Sequence, residues 1–403
     1  MRILLVNQFF WPDLAATSQL LTDLARHLAA EGHDVTVICA RSSYAGPDST
    51  GAPPVHIIRI PDIPFSRGAA ARLLSSFSFL AAAFWLGLRI PKPDLTITLT
   101  TPPLLAVVCA LLKTFRGMRY RIWEMDMYPD VAVDVGLLGK SSWLNRALGA
   151  LADYARRNAD GVVALGECMR QRLLARGVPA ESITIAENWA DGARLSIEKQ
   201  PSQILTVVYP GNLGLGHDVA TLTEAIRQLH RQQAPIRFLF IGGGVRMRAL
   251  EEECRAGGIS NATFLRYCNP DELATLVSTA HIGLVTINPA CVGSIVPSKP
   301  YALMAAGLGI LFIGPPGATP GRIVDRYRCG WQVDCGDHSQ LVSLLGLLAA
   351  NPEMVSAAGR RSQEAFYAFH DRPVAVPKLC QALNIGSSYT PTAAGAKDRT
   401  TSV

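Results

Sequence analysis

The chain has 403 residues, 49% hydrophobic and 17% charged, a length beyond one ordinary core and a balance that excludes a largely disordered chain, so two domains are expected. A net charge of +6 is too modest to suggest nucleic-acid binding. Nine cysteines stand singly, without a C-x-x-C pair or Cys/His cluster, so neither zinc nor a disulfide framework is indicated and a reducing cytoplasm fits.

The start, M-R-I-L-L-V-N, passes from one Arg straight into a short apolar strand at 2–6, with no signal-peptide pattern, and predicts no export. A loop containing Pro12 follows. Residues 17–30 read as a helix with Leu20, Leu21, Leu24 and Leu28 on one face, capped by Thr17 or Ser18. Gly32 ends it, and D-V-T-V-I-C at 34–39 is a second strand. Such β-loop-α-β units build parallel sheets whose ligands gather at the carboxyl ends of the strands.

Residues 55–60 continue the sheet, and 73–88 is an apolar stretch shorter than the ~20 residues needed to span a bilayer. A strand at 94–99, an apolar helix at 104–115 and a strand at 119–123 follow. The last ends in E-M-D-M-Y-P-D, which brings Glu124, Asp126 and Asp130 to the mouth of the sheet. Between 63 and 123 stand Arg67, Arg72, Arg89, Lys92, Lys113, Arg116, Arg119 and Arg121 against one acid, Asp94. Two readings are open: a peripheral membrane contact through 63–123, or two core helices with ordinary basic ends.

Helix and strand alternate on to 186, and the aperiodic polar run that follows places an interdomain linker at 191–203. The pattern then restarts with a strand at 205–209, a glycine-rich loop at 210–218 and a helix at 219–232. A strand at 237–241 enters Gly242, Gly243 and Gly244 ahead of a helix at 245–256, and helices at 339–350 and 353–369 close the half. The expected domains are therefore 1–190 and 204–370. A helix at 371–384 is free to return to the first domain, and 385–403 reads as a disordered polar tail.

Between 292 and 307 the sequence V-G-S-I-V-P-S-K-P-Y-A-L-M-A-A-G puts Ser298 and Lys299 at the start of a short helix stopped at Gly307. A helix start offers free N–H groups and partial positive charge, and here a hydroxyl and an ammonium join them, which is the chemistry that holds a diphosphate. The loop G-N-L-G-L-G-H has neither the G-x-G-x-x-G spacing nor a G-K-[ST] end. Three glycine-rich turns in one half would nevertheless face one crevice.

The order of these motifs resembles the retaining glycosyltransferases of family 4, in the bacterial capsule, O-antigen and colanic-acid subgroup. The resemblance rests on N-Q-F-F-W-P-D, I-A-E-N-W-A-D, I-G-G-G-V-R, P-S-K-P-Y-A-L-M-A-A-G and G-I-L-F-I-G-P-P-G, and covers roughly 1–369. It implies an α/β GT-B fold, two Rossmann-like doubly wound parallel-sheet domains facing a cleft. It also implies a nucleotide-sugar in the second domain, a glycan or polyprenyl-linked acceptor in the first, neither cofactor nor metal, and work at the cytoplasmic face of the cell membrane.

Carried over by position, the donor side comprises Gly211, Asn212, Leu213 and Gly214, then Gly242, Gly243, Gly244 and Arg246, and then Ser294, Ser298, Lys299 and Tyr301, of which Tyr301, like Leu303 and Met304, reads more readily as core than as ligand. Pro12, Thr17, Glu124, Asp126 and Asp130 fall on the acceptor side, and Lys299, Asp126 and His217 are the catalytic candidates. Asp126 and Asp130 either orient a hydroxyl or cap the turn before Val131, and His217 is either a phosphate-contacting cation or a solvated loop histidine. The family's two glutamates, separated by seven residues, are Ser294 and Ala302 here, and its Arg and Lys in the first glycine loop are Asn212 and His217. That leaves Lys299 with His217 or Arg246 to hold the diphosphate. A non-catalytic nucleotide-sugar-binding subunit and a nucleotide-sugar epimerase are the alternative functions.

Overall fold

Short runs rich in Val, Ile and Leu, each followed by a turn and an apolar-striped helix, fold into two parallel sheets. The computed structural model describes residues 1–13, 15–41, 51–61, 69–195, 204–268 and 270–386. Among these, the first sheet holds β1 (Arg2–Val6), β2 (Asp34–Ala40), β3 (His56–Ile60), β4 (Leu95–Thr98), β5 (Tyr120–Trp123), β6 (Val162–Ala164) and β7 (Ile183–Ile185). The second holds β8 (Leu205–Asn212), β9 (Ile236–Gly243), β10 (Ala262–Leu265), β11 (Ile282–Thr286), β12 (Gly309–Ile313) and β13 (Gly330–Val333). Their orders are β3-β2-β1-β4-β5-β6-β7 and β10-β9-β8-β11-β12-β13. The winding direction reverses between β1 and β4 and again between β8 and β11, and at such a reversal a crevice opens at the strand carboxyl ends.

Helix Ala16–Ala30 buries Leu20, Leu21, Leu24 and Leu28 against one face of the first sheet, and helices Ala69–Gly87 and Leu105–Arg116 cover the other through Phe79, Ala83, Val108 and Leu112. Each side chain so buried contributes roughly 1.5–3 kcal/mol before its entropy cost. Neither Thr17 nor Ser18 caps the first of these helices, because it begins one residue earlier and Ala15 holds the cap position. Asp13 organises the turn instead, its carboxylate accepting from the Ala15 amide at 2.7 Å. Helix Thr319–Tyr327 and β13 gave no clear sequence signal. Pro320 falls in that helix's first turn, where its missing N–H costs nothing.

Two segments cross between the domains. In the first, Trp189 stacks on Trp123 with centroids 5.5 Å apart and donates to Asp23 at 3.0 Å. The expected linker begins as a short helix, Gly192–Leu195, and 196–203 lie outside the described residues. The second crossing bridges Asp371 to Ala190, with Arg372 bound to Asp191 at 2.8 Å. Helix Arg372–Ala382 then sinks Val376 and Leu379 into the first domain's core. Ile385, read as tail, is buried there too, whereas 387–403 lie outside the described residues.

Candidate active site

The ladder between β8 and β9 continues past the apolar pattern that predicted it. Gly211 pairs with Gly242 and Asn212 with Gly243, so the glycine loops begin as paired strand ends. Gly211, Gly242 and Gly244 have φ of 109°, 135° and 119°, a region that favours glycine. A Cβ on Gly242 would strike the Gly211 carbonyl, and one on Gly244 the Leu213 carbonyl. Leu213, assigned to the donor side, is instead a core residue: it is fully buried, and its amide donates to the Gly243 carbonyl at 2.8 Å. Gly214 sits next to the Asn212 side chain, and Arg246 opens helix Val245–Ala256 with its side chain exposed.

Lys299 supplies the third arm, at the end of the loop after β11. Ser298 is the N-cap of helix Lys299–Ala305, but its hydroxyl caps no amide, and Pro300 removes one first-turn N–H. In so short a helix the ammonium outweighs the amides as a source of positive charge. Lys299 Nζ donates to the Asn212 carbonyl at 3.3 Å and lies 5.0 Å from the centroid of the Tyr209 ring. Burial lowers the lysine's pKa to about 8, which leaves it largely charged at neutral pH.

His217, read either as a phosphate-contacting cation or as a solvated loop histidine, is half-buried and held neutral. Its Nδ1 lies 2.7 Å from the Thr286 carbonyl and therefore carries the proton. Burial first, and the Lys299 charge second, lower its pKa to about 4 despite that bond. Tyr209 ties the group together: its hydroxyl donates to the Asn212 carbonyl at 2.9 Å and lies 3.5 Å from His217 Nε2. The only local signal for Tyr209 was an aromatic residue directly before P-G at a strand end.

Two further donor-side residues are buried, Tyr301 in keeping with its reading as core. Tyr301 is 0% exposed, its ring 5.0 Å from that of His370 beneath the domain crossing. Ser294 is equally buried, its hydroxyl donating to the Cys291 carbonyl at 3.1 Å and its own carbonyl accepting from the Met127 amide at 2.8 Å.

On the other side, a small pocket of the first domain is lined by Thr100, Leu104, Val107, Asp126, Tyr128 and Arg156, among others. The Asp126 amide donates to Thr100 Oγ1 at 3.1 Å, and burial followed by the Glu124 charge pushes the Asp126 carboxyl up to about 6. Glu124 does not present a free carboxylate, because Arg156 takes both its oxygens, Nε at 3.1 Å and Nη2 at 2.7 Å. Asp130, on the first turn of helix Asp130–Asp134, is bound by Arg176 at 2.8 Å. Of the three carboxylates, Asp126 has no arginine partner among the described residues. Pro12 lies in the loop after β1 and Thr17 on the first turn of helix Ala16–Ala30, both half-buried. A bridge between Asp126 and Ile295 joins this side to the loop that leads to Lys299.

Residues 17–189 match the family model described as a glycosyl transferase 4-like domain. This chain is a relative of glycosyltransferases. WbjE of Pseudomonas aeruginosa, named as a glycosyltransferase, is 27% identical over 298 residues, 70% of this chain and 71% of that one. WcaI of Escherichia coli (strain K12), named for colanic acid biosynthesis, is 25% identical over 336 residues, 76% and 82% of the two chains. A sucrose-phosphate synthase from Thermosynechococcus elongatus superposes with a TM-score of 0.76 at 16% identity, covering 94% of this chain and 98% of its own. HepE from Anabaena, in complex with UDP-glucose, does so with 0.70 at 13%, covering 95% and 99%. The fold is GT-B.

Proposed function

We propose that the protein is a retaining hexosyltransferase that moves a sugar from a nucleotide-diphosphate donor to a hydroxyl of a glycan or polyprenyl-linked glycan during cell-surface polysaccharide synthesis. The observation that carries this is Lys299, seated where the β8 and β9 glycine ends meet and backed by Tyr209. The donor diphosphate lies against Lys299. As the bond from sugar to diphosphate breaks, negative charge builds on the leaving group and the preorganised ammonium stabilises it, so no metal or other cofactor is required. The acceptor hydroxyl bonds to the sugar carbon and its proton passes toward the Asp126 carboxylate. The relatives' names and the UDP-glucose held by a chain of this fold support donor and pathway alike.

The acceptor side also carries features of a membrane-surface protein. Among the described residues no single helix is long and apolar enough to cross a bilayer, yet Phe77 and Phe115 are 65% and 67% exposed, and Arg89, Lys92 and Arg119 of the same domain are exposed too. We place the protein at the cytoplasmic face of the membrane on that ground. A non-catalytic nucleotide-sugar-binding subunit is the second reading, favoured by the buried, internally bonded Ser294 where the family has a glutamate.

A panel of nucleotide-diphosphate sugars, read by melting temperature and by release of nucleotide diphosphate, separates these readings. One donor should stabilise the protein and be turned over, and Lys299→Ala should cost on the order of 100-fold in rate. Stabilisation without turnover supports the binding subunit, and no response to any donor overturns both.

A further inference from the structure

The loop between β11 and Lys299 is held from the first domain as well as from its own. Asn288 donates its amide to the Gly216 carbonyl at 2.8 Å, anchoring the loop's start to the glycine-rich segment. Arg172, on helix Glu167–Ala175 of the first domain, then donates Nε to the Val292 carbonyl at 2.6 Å and Nη2 to the Ala290 carbonyl. Its remaining nitrogen is paired with Asp134 at 2.8 Å, so all three nitrogens of the guanidinium are engaged. Gly293, at φ 80°, passes so close to the Cys168 carbonyl that a Cβ there would collide with it. Next in the chain, the Ser294 carbonyl takes the Met127 amide and Ile295 bridges Asp126. Ile295 also lays its side chain over Gly216, where a Cβ would be 2.7 Å from its Cδ1. Three residues later the chain reaches Ser298 and Lys299.

We infer that Arg172 is a positioning residue of the donor site: by holding 290–295 on the first domain it fixes Ser298, Lys299 and the Gly216 end of the glycine-rich loop, so that diphosphate binding requires the domains to be closed. The inference rests on the donor-site reading of Lys299 and extends it across the cleft. The residues that touch the donor belong to the second domain, and the group that keeps them in register belongs to the first. Because 295 bridges Asp126, the same contact aligns the acceptor carboxylate with the donor loop, and opening the domains would release both at once.

The test uses the full chain with inorganic pyrophosphate and a set of nucleoside diphosphates as probes. Arg172→Gln removes the fork, Arg172→Lys restores one donor, and Gly293→Ala attacks the same contact from the other domain. Without ligand, amide hydrogen exchange at 290–296 should accelerate in Arg172→Gln and Gly293→Ala while exchange in β8 and β9 stays as in wild type. Diphosphate affinity should fall about tenfold or more, the scale of losing a charge-assisted hydrogen bond, with Arg172→Lys intermediate. A purely structural role would lower the melting temperature but not give this local exchange together with the graded loss of affinity. Unchanged exchange at 290–296, or faster exchange with wild-type affinity, overturns the inference alone. Wild type that binds no diphosphate at all overturns the donor-site reading and the inference with it. If Arg172→Gln fails to fold, Gly293→Ala and Arg172→Lys carry the comparison.

Discussion

Lys299 and Asp126 define the pH range over which both sides of the cleft are charged. The lysine is protonated below about 8 and the aspartate ionised above about 6, so kcat/KM should rise as the pH passes 6 and fall beyond 8. Lys299→Arg keeps its charge throughout and should lose the alkaline limb, and Asp126→Asn should flatten the acid limb at a cost of roughly 100-fold in rate. Stability supplies an independent check. The folded state raises the Asp126 pKa above its ordinary 3.8, so folding favours the neutral acid and the ionised form is destabilising. Asp126→Asn should therefore melt higher than wild type at pH 8, with the difference shrinking as the pH falls through 6 and gone near 4. Wild type melting higher than Asp126→Asn at pH 8 would contradict the assignment. His217, neutral across this range, should add no titration of its own.

At the scale of elements, the paired ends of β8 and β9 place a glycine where any side chain would part the strands. Gly242→Ala should cost about 1–3 kcal/mol in denaturant unfolding, from the positive φ and the collision with the Gly211 carbonyl, and should abolish diphosphate binding. Gly346→Ala is the control: it lies in helix His338–Ala350 with nothing near its Cβ position, and should stabilise by about 0.5–1 kcal/mol. Both the existence and the parallel order of the sheets followed from strands and helices that alternate in the sequence. Strand ends did not, because Pro210, Gly211 and Asn212 carry no strand propensity and extend β8 only through pairing with β9. Lys299 was legible because its motif is contiguous. Tyr209 had only a local hint, while Arg156 and Arg172 had none, since their partners lie 32 and about 120 residues away. His217 stood between two readings for a related reason: sequence shows which groups can ionise or bind, and burial decides whether they do.

For the whole molecule, the basic window that suggested a membrane contact divides once its side chains are placed. Lys113 pairs with Asp160 at 3.0 Å, Arg116 donates to the carbonyls of Gly87 and Ile90, and Arg121 packs on Gly161. Arg67 and the Arg72 side chain lie outside the described residues. Arg89, Lys92 and Arg119 remain exposed, as do Leu73, Leu74, Phe77, Trp85, Leu111 and Phe115 on the two helices that cover one side of the first sheet, and Arg89 lies over the Trp85 ring at 5.5 Å. Helix Trp143–Asn158 packs against the second of these and adds Trp143, 73% exposed, with Leu144 and Leu151. Exposed aromatics with basic neighbours suit the interface of an anionic bilayer, where each Lys or Arg near the surface is worth about 1 kcal/mol. The protein should therefore co-sediment with vesicles rich in phosphatidylglycerol, bind weakly to neutral ones, and be released as salt shortens the screening length. Replacing Arg89, Lys92 and Arg119 by Ser should weaken binding by roughly two orders of magnitude at low salt, since about 3 kcal/mol is lost. Phe77→Ser with Phe115→Ser should weaken it at every salt concentration, because apolar burial is not screened. Wild type left in the supernatant with anionic vesicles at low salt would show that these helices face water. Sedimentation unaffected by either set of substitutions would move the contact to another face. All these residues lie in the first domain, so membrane attachment would fix the acceptor side, and the second domain, joined through 187–195 and 370–372, would close onto it with its donor.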